Sequence, residues 1–146
     1  MKKKTVMRSC LALLLALMMV CSLVACTRGV EKTGVWENAT YTKDTELGSG
    51  EKTVTVLVVA EEQTVTFTIY TDKTTLREAM EEHDLIDGNE SVYGLMVEVV
   101  NGMTVKYDDG GYWWGITKNG VTTDTGVDGI TIADGEQYEF TKTNQY

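Results

Sequence analysis

Hydrophobic and polar residues alternate strictly along residues 64–70, with Val65, Phe67 and Ile69 on one side. Because successive side chains of a strand point to opposite faces, this pattern predicts a half-buried β-strand. Residues 53–59 come before it and are β-branched almost throughout, which favours another strand. The polar residues 61–63 predict a turn between the two, so that together they form a β-hairpin.

The segment after this hairpin carries a helix start signal. Thr75 and Glu78 are spaced as a capping box, in which each side chain bonds a free backbone amide at the helix start. The residues that recur at helical spacing are Leu76, Ala79, Met80 and His83. This pattern predicts a helix from about residue 76 to about residue 84 that packs one face on the sheet.

The second half of the chain predicts several more short strands. Four stretches are rich in β-branched and aromatic residues: 95–100, 112–118, 121–125 and 137–142. Asn-Gly pairs at positions 101–102 and 119–120 are typical of tight turns between antiparallel strands. This order indicates an α+β domain over residues 52–143, a β-grasp-like mixed sheet with one packed helix. A β-sandwich is the alternative, but the capped helix argues against it.

The first 25 residues have the layout of a secretory signal peptide. Basic residues at positions 2–4 and 8 come before an apolar run of 11 residues at positions 10–20, which is short for a membrane span. Residues 23–26, Leu-Val-Ala-Cys, resemble the bacterial lipobox, whose cysteine receives a diacylglyceryl group before cleavage. We therefore expect a lipoprotein signal peptide at residues 1–25 and lipidation of Cys26. The protein would then be exported and anchored to the outer face of the bacterial cytoplasmic membrane. An ordinary signal peptide that is cut nearby is the alternative.

Residues 26–51 are interpreted as the lipidated cysteine and a polar tether, because Thr, Glu, Gly and Lys dominate them. The stretch near residues 36–42 contains Trp36 and Tyr41 and leaves two interpretations open. It either belongs to the tether or packs on the domain.

Charge narrows the classes of partner. The 146-residue chain has a formal net charge of −9, and removal of the four basic residues of the signal peptide takes this to −13. Such a chain lacks the basic excess that nucleic acid binding requires, and anionic lipid repels it. Cys10 and Cys21 leave with the signal peptide and Cys26 is lipidated, so the mature domain is expected to have no disulfide.

The pair Trp113-Trp114 lies in a predicted strand, so the two indoles must point to opposite faces of the sheet. Trp114 shares its face with Tyr112 and Ile116 and looks more like a core residue. Trp113 lies beside Gly115, which leaves space for a ligand next to the ring. Two structural indoles, one under the helix and one under the tether, are the alternative.

The remaining chemistry-bearing residues indicate neither an enzyme nor a metal site. His83 is the only histidine, so no conventional nucleophile–histidine relay is expected, and we interpret it as a packed or capping residue. Asp108-Asp109-Gly110 resembles a calcium loop but lacks the ligand series of an EF-hand. We therefore predict a non-enzymatic protein without a metal or a cofactor of its own.

Residues 111–143 carry a family resemblance. Tyr112-Trp113, the tip Asn119-Gly120, Gly126-Val127 and the turn Asp134-Gly135-Glu136 resemble the C-terminal domain of the transcobalamin and intrinsic-factor family and its bacterial relatives. The resemblance extends over residues 52–143 and implies a β-grasp fold. In the vitamin carriers this domain forms one half of a clamp over cobalamin, and a helical domain forms the other half. This chain has no such helical domain, and its tip has neither the proline nor the leucine of the carriers.

By resemblance, the candidate ligand contacts are Tyr112, Trp113, Thr117, Val121, Thr122, Thr123 and Thr125. Together with the expected lipidation of Cys26, the resemblance leads us to expect a lipid-anchored ligand-binding module that hands cobalamin, another corrinoid or a similar cofactor-like molecule to a transporter. The alternative is a cell-surface module that binds a protein or polysaccharide and has no small-molecule ligand.

Overall fold

The structure is a computed structural model that describes residues 29–146. The expected signal peptide, its cleavage site and Cys26 lie outside the described residues.

A six-stranded mixed sheet forms the main layer of the domain. Its strands in chain order are β1 (Thr45–Gly48), β2 (Lys52–Ala60), β3 (Gln63–Thr71), β7 (Trp113–Lys118), β8 (Val121–Thr122) and β9 (Gln137–Thr143). They lie side by side in the order β1-β3-β2-β9-β7-β8. The pairs β1–β3 and β2–β9 are parallel, and the other neighbours are antiparallel. The predicted hairpin of residues 53–70 is the pair β2–β3, closed by two residues in the left-handed region, Glu61 and Glu62.

One α-helix, α1 (Leu76–Glu81), is present in the described part of the chain. The predicted capping box is formed: the Thr75 side chain accepts from the Glu78 amide, and the Glu78 carboxylate accepts from the Thr75 amide. The helix ends three residues before the predicted position because Asp84 adopts a left-handed φ of 53° and the Leu85 amide turns back to the Met80 carbonyl. His83 therefore lies in the turn after the helix rather than on its face.

A second, three-stranded antiparallel sheet contains β4 (Ile86–Ser91), β5 (Gly94–Val100) and β6 (Met103–Thr104). Strand β5 matches the prediction, whereas β4 has no strand pattern because its sequence is Ile-Asp-Gly-Asn-Glu-Ser. Pairing with β5 holds β4 in place despite this polar composition, with a register shift at Asp87/Gly88.

The predicted tether requires a correction from residue 30 onward. The Trp36 side chain is completely buried, and its Nε1 donates to the Ala60 carbonyl at 2.8 Å. Residues 45–48 form β1, which extends the main sheet next to β3. This segment folds because Trp36 and Ala39 supply apolar surface to the core despite their polar neighbours.

The core lies between one face of the main sheet and the layer formed by α1, the small sheet and the residues around Trp36. The sheet side chains that fill it include Val54, Val56, Val58, Phe67, Ile69, Tyr138 and Phe140. The opposite face of the main sheet, here called the open face, carries half-buried side chains such as Thr55 and Leu57. A mixed main sheet, an antiparallel small sheet and one packed helix confirm the predicted α+β class. None of the helices in residues 29–146 is long and apolar enough to span a membrane.

Candidate functional site

The two adjacent tryptophans point to opposite faces of β7. Trp114 is 5% exposed and donates from Nε1 to the Glu98 carbonyl at 3.2 Å, which ties the main sheet to β5. Trp113 is half-buried on the open face, where its ring stacks on Tyr146 with centroids 4.6 Å apart. Strand alternation thus separates a core indole from a surface indole.

The hairpin β7–β8 follows, and its turn end is held by a polar network. Asn119 and Gly120 form the tip, both with positive φ, as a tight two-residue turn requires. The Asn119 side chain accepts from the Gln137 amide at 3.0 Å. Lys118 Nζ lies 2.8 Å from Oε1 of Glu136, and Oε2 of Glu136 accepts a short hydrogen bond from the Tyr138 hydroxyl. The turn end of the hairpin is therefore fixed to the start of β9 and to Glu136 just before it.

This network shifts two pKa values in opposite directions. Burial alone would raise the pKa of Glu136, but hydrogen bonds from Lys118 and Tyr138 outweigh it and lower the pKa below its ordinary value of 4.5. Burial first, and then the neighbouring carboxylate, raises the pKa of the Tyr138 hydroxyl. Glu136 is therefore a carboxylate and Tyr138 a neutral donor at neutral pH.

A groove of about 660 Å³ opens on the hairpin and is lined by four of the predicted contact residues. These are Val121, Thr122, Thr123 and Thr125. Thr123 is held in place because its hydroxyl bonds the Ile116 and Thr125 carbonyls. Val121 is 70% exposed and gives the groove an apolar rim.

Two further hollows follow, of which the first adjoins this groove and the second adjoins the first. The first, of about 530 Å³, shares Asp124, Thr125 and Gly129 with the groove. The other, of about 270 Å³, has Trp114 and Ile116 in its lining. Both are also lined by Tyr93, at the tip of the β4–β5 hairpin. We call these three hollows together the hairpin cleft.

Sequence reasoning missed the β4–β5 side of the hairpin cleft. Tyr93 is 91% exposed and Met96 is also exposed, and both line the cleft. The available signal was the pair Val92-Tyr93 before Gly94, two apolar residues at a turn. It could not be interpreted because β4, which makes that turn a hairpin tip, has no strand pattern.

The structure does not bring all predicted contacts into the hairpin cleft. Trp113 and Thr117 are on the open face of β7, as their register with Thr143 and Glu139 shows. The Tyr112 ring lies 5.0 Å from Lys142 Nζ, in a cation–π arrangement. None of these three residues lines the hairpin cleft, and Thr122, which lines the groove at its edge, pairs in register with Thr117.

Arg77 of α1 anchors the loop that runs through the hairpin cleft. Its guanidinium pairs with Glu81 at 2.8 Å, with Asp128 at 2.7 Å and with Glu90. The Arg77 hydrogen bond lowers the pKa of Asp128, whose other oxygen accepts from the Leu95 amide at 2.8 Å. One side chain thus connects the helix, β4 and the loop, which fixes the shape of the cleft wall.

The described residues offer no cluster of three or more His, Cys, Asp or Glu side chains arranged to hold a metal ion. Asp108 and Asp109 lie in a short 3₁₀ turn, Tyr107–Asp109. His83 is packed beside Gly48, with Nε2 3.9 Å from a Glu82 carboxylate oxygen.

Comparison with solved structures places the chain in a family. A crystal structure at 1.30 Å from Ruminococcus gnavus ATCC 29149, described as a "putative metal binding protein", is 34% identical over 66% of this chain and 100% of its own, with a TM-score of 0.62. This chain belongs to the family of that protein. No protein-family model and no curated protein matches the chain.

This chain also resembles a second solved structure, that of haptocorrin in complex with Cbi. The identity is 16% and the TM-score 0.55, over 65% of this chain and 25% of haptocorrin. The chain therefore spans about a quarter of haptocorrin and shares the fold of that part. This supports the transcobalamin-like fold that residues 111–143 indicate.

Proposed function

We propose that this chain is a non-enzymatic ligand-binding module and that the hairpin cleft is its binding site. The observation that carries the proposal is the cleft itself. Three adjoining hollows have an apolar rim of Tyr93, Met96 and Val121, and fixed polar groups such as the Thr123 hydroxyl lie among them. Concave surfaces with apolar walls and a few fixed polar groups are typical of small-molecule sites.

The class of ligand that we propose is a corrinoid or a similar flat, cofactor-like molecule. The haptocorrin structure was solved in complex with Cbi, and its shared fold supports this choice. The hairpin cleft is open to solvent on one side, so a large ligand would keep an exposed face. A partner such as a transporter would receive the ligand through that face.

The name of the Ruminococcus gnavus protein raises metal binding as a second candidate. The described residues of this chain do not supply the donor set, since no three metal-ligating side chains converge. We therefore propose no metal site built from residues 29–146.

Two substitutions at one hairpin tip test the small-molecule proposal. Tyr93 and Val92 are 91% and 93% exposed, so neither replacement by alanine should disturb the fold. Tyr93 lines two hollows of the hairpin cleft and Val92 lines none of the three. In equilibrium dialysis with cobalamin, read by absorbance, Tyr93→Ala should weaken binding about tenfold, as loss of an aromatic anchor does. Val92→Ala should leave binding unchanged, and no retention of cobalamin by the unmodified protein would reject the corrinoid.

The same pair of variants tests the alternative of a protein- or polysaccharide-interaction module. That alternative is favoured by the exposure of two neighbouring apolar side chains, Val92 and Tyr93, on a projecting hairpin. A docking surface would use both side chains, because both point to solvent. Equal losses of partner binding in Val92→Ala and Tyr93→Ala would therefore favour the docking module over the cleft.

A further inference from the structure

The open face of the main sheet carries an aromatic side chain at the head of a polar row. On β7 the open-face residues are Trp113, Gly115 and Thr117, and the β9 residues opposite them are Thr143, Thr141 and Glu139. These six residues, here called the β7–β9 track, contain one indole, three hydroxyls and one carboxylate. Gly115 has no side chain, and Thr143 Cγ2 and the Trp113 indole border the position that a Cβ would take there.

The Trp113 indole, at one end of the track, already stacks on another aromatic ring. The Tyr146 ring lies on Trp113 with centroids 4.6 Å apart and an interplanar angle of 29°. Tyr107 approaches the same indole at 6.1 Å, tilted by 42°. Tyr146 is fully exposed apart from this contact, and its neighbour Gln145 is held by one hydrogen bond to the Thr143 hydroxyl. The tyrosine therefore occupies a stacking position that another ring could take at little cost.

We propose that Trp113 and the β7–β9 track bind the sugar rings of a neutral polysaccharide, and that Tyr146 is a displaceable cap on this site. A pyranose ring has apolar C–H faces that pack on an indole and hydroxyls at its rim. The Thr141 hydroxyl donates to Glu139 Oε1 at 2.6 Å and the Thr143 hydroxyl accepts from the Gln145 amide. The second Glu139 oxygen, the Thr117 hydroxyl and the Thr143 O–H are partners for the sugar hydroxyls. Aromatic rings with nearby fixed polar groups recognise ligands that combine an apolar face with a polar edge.

Charge selects a neutral glycan over an anionic one. The chain has a net charge of −9, and the only charged side chain of the β7–β9 track is that of Glu139. Sulfated or uronic acid polymers and nucleic acids would be repelled by this field. The site lies on the face of β7 opposite Trp114 and the hairpin cleft, so it is independent of the cleft.

Affinity electrophoresis in native gels that contain a soluble neutral β-glucan tests this proposal. The protein should be retarded in the β-glucan gel and unaffected in a gel with anionic polygalacturonate. Trp113→Ala should abolish the retardation. Tyr112→Ala is the matched control, since this aromatic neighbour lies outside the track, and it should be retarded like the unmodified protein.

Tyr146→Ala keeps the test decisive if Trp113→Ala fails to fold. Tyr146 is exposed and its loss removes only the cap, so this variant should be retarded at least as strongly as the unmodified protein. Absence of retardation in both the unmodified protein and Tyr146→Ala would overturn the proposal. So would retardation that survives in a folded Trp113→Ala, or stronger retardation by polygalacturonate than by β-glucan.

Discussion

Trp113 and Trp114 show how much one position along a strand changes the role of the same side chain. Trp114 is a buried ring that bonds the Glu98 carbonyl, while Trp113 rests on exposed tyrosines. We expect Trp114→Ala to lower the free energy of unfolding by about 3–5 kcal/mol, as large-to-small core changes do. Trp113→Ala should lower it by about 1 kcal/mol or less. Denaturant melts of the two variants check this, and equal losses would mean that both rings are structural.

The Asn101 side chain joins the segment around Trp36 to the small sheet by hydrogen bonds. Its side chain accepts from the Tyr41 amide at 2.9 Å and donates to the Tyr41 carbonyl at 2.8 Å, and the residue is completely buried. Asn101→Ala leaves the part-buried amide and carbonyl of Tyr41 without these partners and replaces asparagine, which tolerates the left-handed region, by alanine at a φ of 52°. We expect a loss of about 2–4 kcal/mol of stability.

Asn119→Ala is the matched control for Asn101→Ala. Asn119 also comes before a glycine in a tight turn, with φ of 47°, but it is exposed and accepts one backbone hydrogen bond. Asn119→Ala should lower the free energy of unfolding by about 1 kcal/mol, because water can accept from the Gln137 amide that loses its partner. Equal losses of stability in the two variants, measured by chemical denaturation, would contradict this stabilising role of Asn101.

At the scale of elements, the hairpin β7–β8 depends on an ionised Glu136. Its pKa is lowered in the folded protein relative to 4.5, so its contribution to stability is complete above that pH. That contribution is lost as the pH falls below 4.5 and the carboxylate is protonated. Glu136→Gln should lower stability at pH 7 by about 1–3 kcal/mol and flatten the pH dependence of stability below 4.5. Glu62→Gln is the control, because Glu62 is exposed at the β2–β3 turn. This variant should change neither the stability at pH 7 nor the pH dependence of stability. Thermal melts of both variants between pH 3 and pH 7 check the prediction.

The elements that sequence could predict are those whose stabilising interactions are local. Strands β2 and β3 follow from their β-branched and alternating residues, and α1 follows from Thr75 and Glu78. Strand β4 and strand β1 could not be predicted, because their residues are polar or few and are held by partners far along the chain. The half of the hairpin cleft that β4 and β5 supply was missed for the same reason.

At the scale of the whole molecule, the proposed membrane anchor depends on Cys26. If the lipobox-like residues 23–26 work as in bacterial lipoproteins, Cys26→Ala should abolish incorporation of a fatty-acid analogue and block processing. Cys21→Ala, five residues earlier in the same leader, should be labelled normally. Label retained on Cys26→Ala in metabolic labelling would contradict the anchor.

The central proposal is that the hairpin cleft binds a flat, cofactor-like ligand, and amide NMR during a cobalamin titration tests it most directly. The proposal predicts saturable shifts of the amides that line the cleft on both sides, such as Tyr93, Thr125 and Gly126. The side-chain indole N–H of Trp113 should move little, because this side chain lies on the opposite face of β7. Shifts confined to the open face, or no saturable shift at high-micromolar cobalamin, would contradict it.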